Sequence, residues 1–463
     1  MDWLFVVYIA AAAVAGLVIG VILHKAVVTK RLGDADGLAR RIVLEARKEA
    51  QAQKKEIILQ GKDDLFNQKR EQENEFRERE RELKAREHKL EDVSSRLEEK
   101  IEKATGKEQE LLLQEKELSR KERQLTENEA FLQSRIDEQL RVFQKMGFGG
   151  YHIHSRIGLE TEYLGKEFMQ LVQHCCRYGD ELGMDTRLYD EDKWPSGAGG
   201  GRVTCDRAYA SRYLLFSPKH YPDGFLDRKI VATSRLSKNG DIRLMMRFEV
   251  ILRDGRLESY RLLKDGEESE HTWYAYCVVT EPLAWFNNQP YLDTLNADAT
   301  KRFIEVTHER YYEAVGEQFS KTVPSIFTDE PGYHKQESLP SGAAAKDVGI
   351  AYTDKMEEFY QARYHESLRE RLPEIFWTLA DGTVSHVRWQ YHDCVAEMFA
   401  RNYIGTIASW CAAHNLDMTG HVLFEAELES QSQVVGEVMR ALSPMTVPGI
   451  DMLADRHEYT TAK

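Results

Sequence analysis

The chain opens with two opposite patterns. Trp3 to Leu23 is 21 residues without a charge, enough at about 1.5 Å per residue to cross a hydrocarbon layer of roughly 30 Å. This stretch predicts a membrane-spanning helix, domain 1–24. Asp2 precedes it, and Lys25, Lys30, Arg31, Arg40, Arg41, Arg47 and Lys48 follow. A cleaved signal peptide would need its basic residues ahead of the apolar run. The charge order therefore favours a single-pass anchor in the cell membrane, with the rest of the chain cytoplasmic. From about Ala35 to Gln139 the residues are mostly Glu, Lys, Arg, Gln and Leu, without proline. Phe76, Leu83, Leu90, Leu97, Ala104, Leu111, Leu118, Leu125 and Leu132 fall seven apart. An apolar position kept at that period predicts a coiled coil over 25–130, as a homodimer. Four residues after these come Glu80, Glu87, Ser94, Ile101, Glu108, Glu115, Glu122 and Glu129, so the seam is narrow. A single solvated helix held by i to i+4 ion pairs, about 0.2 to 0.5 kcal/mol each, is the competing reading.

Past the rod the period changes. Ile136, Leu140, Val142, Phe143 and Met146 predict a short helix closed by Gly147. Gly150 to His154 then reads as a strand, and Leu164, Phe168, Leu171, Val172, Cys175 and Leu182 as a helix closed by Gly183. A second strand follows over Thr186–Asp192. From about 194 to 281 alternating runs such as Ile242 to Leu252 predict an inserted antiparallel β element. Helix returns over 297–318, strand over 323–328, helix over 389–413, strand over 417–421, helix over 427–442 and a last strand over 449–453. Repeated β/α crossovers of this kind predict an α/β fold with parallel strands, a TIM-type barrel or doubly wound sheet over 131–463.

Composition agrees with this division. All 11 prolines lie at or after Pro195, and only Trp3 of the seven tryptophans precedes Trp194. The net charge of −14 argues against nucleic acid as an obligate partner of the whole chain. The six cysteines show no metal-ligand spacing and fit reduced thiols.

Candidate chemistry collects at the strand ends. His152 and His154, two apart on a strand, share a face; ordinary core histidines fit equally. Tyr189-Asp190-Glu191-Asp192 sets three carboxylates beside Trp194, a combination of acids and an indole suited to sugar hydroxyls and apolar sugar faces. The same trio is a possible calcium site, and a solvated acidic loop is the plain alternative. Asp329-Glu330-Pro331 closes an apolar strand. A carboxyl held there is open to desolvation, which would raise its pKa and suit it to donate a proton to a glycosidic oxygen, so Glu330 is the sharpest candidate acid. Glu425, just after Gly420-His421, is the second catalytic carboxylate or simply an acid in the first turn of the next helix. Gly197-Ala198-Gly199-Gly200-Gly201 lacks a Walker lysine and reads as a flexible hinge rather than a phosphate cradle.

The membrane helix, the charged rod and turns such as Ala46-Arg47-Lys48-Glu49-Ala50 resemble the amino-terminal region of ribonuclease Y, over about residues 1–130. That family carries an RNA-binding KH domain and a metal-dependent HD phosphodiesterase downstream. Neither motif is found here, since His392-Asp393 lies alone in a helical pattern, so ribonuclease activity does not transfer. Met146 to Leu159, Leu188 to Gly197, Thr328-Asp329-Glu330-Pro331 and Thr419-Gly420-His421 resemble bacterial glycoside hydrolases of the α-L-rhamnosidase-like barrel group. That resemblance implies an eight-fold β/α barrel hydrolysing O-glycosidic bonds of oligosaccharides, with Glu330 as the acid on the fourth strand. Read from the residues, Glu425 would be its partner, with His152, His154, Tyr189, Asp190, Glu191, Asp192, Trp194, Asp329 and His421 around the substrate and no cofactor required. The group's first strand is replaced here by the rod, and about five of eight strands are counted before Lys463. The expectation is therefore an incomplete barrel from a truncated or fused reading frame, with its activity in question. The alternative function is a ribonuclease Y-like membrane scaffold.

Overall fold

The computed structural model describes residues 67–228 and 236–451, with backbone alone for 67–90 and Asp92, and isolated positions before residue 67. The expected membrane span, 3–23, falls largely outside the described residues. Among the described residues no helix is long and apolar enough to cross a membrane. The chain divides into two units, Met1–Arg120 and Lys121–Lys463.

The described part of the first unit is helical, and it belongs to α1 (Asn67–Lys145). Leu97, Ile101, Leu111 and Leu118 along it are 57–65% exposed. The Lys103–Glu99 pair, 2.6 Å apart on the surface, adds at most a few tenths of a kcal/mol. The short helix expected over 136–146 is not separate. No proline or glycine interrupts 107–146, so α1 runs on to Lys145 and its last turns, including buried Leu140, belong to the second unit. Gly147, at φ +84°, ends it.

In chain order the second unit continues with β1 (Gly150–His152), α2 (Lys166–Glu181) and β2 (Asp185–Tyr189). Then come β3 (Arg212–Ser217), β4 (Gly224–Leu226), β5 (Gly240–Arg253), β6 (Arg256–Leu262) and β7 (Thr272–Thr280). Helices α3 (Ala297–Val306) and α4 (His308–Val315) lead to β8 (Ser325–Asp329) and β9 (Val348–Ala351). After α5 (Met356–Tyr364), α6 (Leu368–Arg371), α7 (His386–Met398) and α8 (Gly405–Ala413) comes β10 (Asp417–His421). Last are α9 (Leu428–Val434), α10 (Val438–Leu442) and β11 (Val447–Pro448).

Five strands form one parallel sheet in the order β1-β2-β8-β10-β11, with helices between successive strands, the connection that parallel pairing demands. Leu188, Ile326 and Met418 from three of these strands join Phe168 and Val172 of α2 in a core that also takes in Leu214, Phe216, Phe248 and Trp273 of a second sheet. That second sheet is antiparallel, ordered β4-β5-β7-β3-β9 with β6 on β5. Its inner strand β3, between β7 and β9, is buried on both faces: Leu214 and Phe216 enter the main core, while Tyr213 and Leu215 pack with Ile242, Tyr276 and Val278. The insertion is thus antiparallel as expected, but its sheet also recruits β9, far beyond residue 281.

Three helices depart from the sequence pattern. The one expected over 297–318 breaks at Thr307, whose hydroxyl turns back onto the Phe303 carbonyl at 2.7 Å. The one over 389–413 contains a π-helical stretch, Phe399–Ile404. The one over 427–442 splits at Gly436, φ +82°, where a Cβ would lie 2.6 Å from that of Ala396. A short strand at 447–448 pairs Val447 and Pro448 with Thr419 and Gly420, and the expected strand over 449–453 lies partly outside the described residues.

Candidate active site

Parallel pairing brings the carboxyl ends of neighbouring strands to one edge. The register sets His421 of β10 opposite Asp329 of β8, and Tyr189 of β2 opposite Phe327. From there the Tyr189 hydroxyl donates to Asp329 Oδ2 at 2.7 Å, and His421 Nε2 lies 2.9 Å from Oδ1. His154 Nε2, from the segment after β1, stands 3.8 Å from Oδ2, its ring tilted against Tyr189 at 3.8 Å. Burial pushes the Asp329 pKa up, but hydrogen bonds from His421 and Tyr189 outweigh it and hold the carboxyl below its ordinary value. The reverse balance holds at His421. Burial disfavours the imidazolium, and the bond and charge of Asp329 overcome it and raise the pKa. Desolvation, then Arg156, lowers His154 to about 4.

Glu330 follows at φ +46°, a left-handed conformation costly for a residue with a Cβ. It is half-buried, and desolvation, then the charge of Asp329, raises its pKa to about 7. Glu425 is buried and its pKa is raised, chiefly by desolvation. Its carboxylate accepts the backbone N–H groups of Val422, at 3.4 Å, and Asp451. Glu330, His421 and Asp451 each offer a ligand atom, all within 4.8 Å of one another. His421 Nε2 is committed to Asp329, and Nδ1 is buried without a partner. Two carboxylates and an imidazole are donors for a divalent transition ion more than for calcium, which prefers an all-oxygen shell.

The acidic run after β2 is used differently. Asp190 is fully buried, with Oδ1 accepting the Ser196 hydroxyl at 2.6 Å. The same Ser196 oxygen accepts the Asp329 N–H at 2.8 Å. Glu191 accepts four backbone N–H groups, from Asp192, Gly197, Gly199 and Gly200, at 2.7–2.9 Å. Asp192 is held by Asn287, at 3.0 Å, and Lys193. The three carboxylates do not converge on a cation site among the described residues. They point inward because a run of glycines with positive φ (Gly197, Gly199, Gly200 and Gly201) turns its N–H groups onto Glu191. The supposed hinge is a buried, hydrogen-bonded loop. Trp194 stands edge to face with Trp285 at 5.5 Å, and His152 with Phe327 at 5.5 Å.

The structure therefore gathers Tyr189, His154, Asp329, Glu330, His421 and Glu425 at one sheet edge, and gives Asp190, Glu191 and Asp192 to loop anchoring. Sequence reasoning missed Ser196, Asp451, Trp285 and Asn287. Of these only Trp285, a second tryptophan beside the apolar Leu283, Ala284 and Phe286, carried a signal. His392-Asp393 lies in α7, where Asp393 binds Arg363, Tyr364 and Arg440.

Residues 4–147 match the family described as the RNase Y N-terminal region. Ribonuclease Y from two strains of Nitratidesulfovibrio vulgaris, DP4 and Hildenborough, is 57% identical over 53 residues, 11% of this chain and 10% of each relative. This chain thus spans about a tenth of the length of those curated relatives. Among solved structures a rhamnosidase from Novosphingobium sp. PP1Y aligns over 68% of this chain and 46% of its own, with 11% identity and a TM-score of 0.40. A likeness at that level carries no weight for activity, so the reading of the site rests on its own geometry.

Proposed function

We propose that the second unit is a glycoside hydrolase built on an incomplete TIM-type barrel, with Glu330 as the group that protonates the departing glycosidic oxygen. The observation that carries this reading is the place of Glu330, half-buried at the carboxyl edge of a parallel sheet beside Asp329, where desolvation and then the charge of Asp329 push its pKa up to about 7. A carboxyl that keeps its proton at neutral pH is what a general acid needs. Glu425 serves as the second carboxylate. The ionised Asp329, clamped by Tyr189 and His421, orients the rim and offers an acceptor to sugar hydroxyls, with His152, His154 and Trp194 around it. Residues 3–23 anchor the chain in the membrane, and the rod, as a coiled-coil dimer, holds the catalytic unit on the cytoplasmic side. The test is hydrolysis of a panel of aryl glycosides, aryl α-L-rhamnosides included, by the full chain. Turnover abolished by Glu330→Gln supports the reading. A folded protein inert toward the whole panel refutes it.

The match of residues 4–147 to the ribonuclease Y region favours a second reading, a membrane scaffold for RNA-decay enzymes. Retention of such enzymes by the detergent-solubilised chain, lost when 4–147 is removed, is the outcome it requires.

A further inference from the structure

A cavity of about 560 Å3 opens beside the reaction edge, within the usual range for small-molecule sites. Arg156, Leu159, Thr161, Lys193 and Trp285 are among the residues that line it. Leu159 and Thr161 also line a second cavity, of about 320 Å3, that holds His152 and His154, and His154 reaches to 3.8 Å from Asp329. Its walls combine three chemistries. Trp285 presents an indole, half-buried and steadied by the edge-to-face contact with Trp194 and by its Nε1 donating to the Trp194 carbonyl at 2.5 Å. Thr161 Oγ1 is buried without a hydrogen-bond partner. The charged groups are neutralised with one exception. Lys193 lies 3.4 Å from Asp192 and donates to Asn287 Oδ1 at 2.7 Å, and Glu162 is paired with Arg202 at 2.5 Å. Arg156 makes no ion pair among the described residues, which leaves its guanidinium fork open to an anion.

We propose that this cavity is a second sugar subsite selective for a uronic acid, with Arg156 gripping the sugar carboxylate and Trp285 stacking on the ring. The assignment rests on the glycosidase reading of the neighbouring edge and names the substrate class of that site: oligosaccharides carrying a uronate next to the bond that is cut. A guanidinium meets a carboxylate with two parallel N–H···O bonds, stronger and more directional than bonds between neutral groups. An indole face covers the apolar side of a pyranose. A neutral sugar would keep the second contact and lose the first.

Isothermal titration of the full chain in detergent with methyl β-D-glucuronide and methyl β-D-glucoside tests this without any need for turnover. The glucuronide should bind roughly tenfold or more tighter, the difference a charge-assisted pair supplies. Arg156→Gln, at an exposed position that the fold does not depend on, should bring the two sugars level without weakening the glucoside. Trp285→Ala should weaken both, and Glu330→Gln should leave the preference intact. Equal binding of the two sugars by the unaltered protein, no binding of either, or a preference that survives Arg156→Gln would overturn the subsite. Inorganic sulfate binding as tightly as the glucuronide would overturn it as well, since the cavity would then read charge and not sugar. A glucuronide preference without hydrolysis of any glycoside sinks the glycosidase reading alone, and hydrolysis without the preference sinks the subsite alone.

Discussion

Replacing Glu330 by Gln reaches the site through stability as well as turnover. Desolvation and then the charge of Asp329 oppose ionisation of the native carboxyl and push its pKa up from 4.5 to about 7. Below about pH 4.5 the group is protonated in both folded and unfolded chains, and its native environment is fully tolerated. Between 4.5 and 7 the unfolded chain releases the proton first, so stability is lost as pH rises, and the loss levels off above 7. At about 1.4 kcal/mol per pH unit, a rise from 4.5 to about 7 corresponds to about 3 kcal/mol, or about 2 once partial exposure is allowed for. Glutamine keeps the shape and does not titrate. The variant should therefore match the original protein near pH 4.5 and exceed it by about 2 kcal/mol at pH 8, read as a midpoint difference in urea unfolding at the two pH values. On the proposed glycosidase reading, the same variant should lose about two to four orders of magnitude in glycoside turnover, and turnover by the unaltered protein should decline above pH 7 as Glu330 gives up its proton. A stability difference that is the same at both pH values, or a variant weakened more at pH 8, would refute the argument.

Gly420→Ala places a Cβ 2.1 Å from the Thr328 carbonyl oxygen, at φ +146°. It should separate β10 from β8 and cost about 3 kcal/mol or more, seen in thermal unfolding together with loss of the Asp329–His421 pair from histidine NMR. Glu191→Gln turns an amide N–H2 toward N–H groups that now share a carboxylate, and should cost about 2–4 kcal/mol. Faster proteolytic cleavage within 197–201 would be the readout. Ser at Leu111, Leu118 and Leu125 together should convert a dimer of the full chain to monomer in light scattering. An unchanged mass would remove the coiled-coil proposal.

How much of this was legible depended on whether a signal lay in side chains. Asp329 ends a short apolar run, and Tyr189 and His421 end short segments set off by the helices before them, which marked β8, β2 and β10 in the sequence; the parallel pairing is what puts their ends together. The inward turn of Asp190 and Glu191 could not be read, because their partners are the Ser196 hydroxyl and the backbone N–H groups of glycines six to nine residues on. A glycine run announces freedom, and here that freedom is used to curl around a buried acid. β9, Val348-Gly349-Ile350-Ala351, is too short for periodicity to declare, and its place beside β3 is a tertiary fact. Asp451 joins Glu330 and His421 only through the pairing of β11, which no local pattern encodes. The helix break at Thr307 is local, its hydroxyl bonding the Phe303 carbonyl of its own helix, whereas the break at Gly436 answers the close approach of Ala396, which no local pattern encodes.

β3 has β7 on one side and β9 on the other, and those two neighbours lie on opposite sides of β8 in the sequence. The antiparallel layer is accordingly sewn into the parallel one: excising 194–281 as a cassette would strand β9, and transplanting that cassette would leave its β3 edge bare. Evolution or an engineer can trim this layer only by altering two distant stretches of the gene at once.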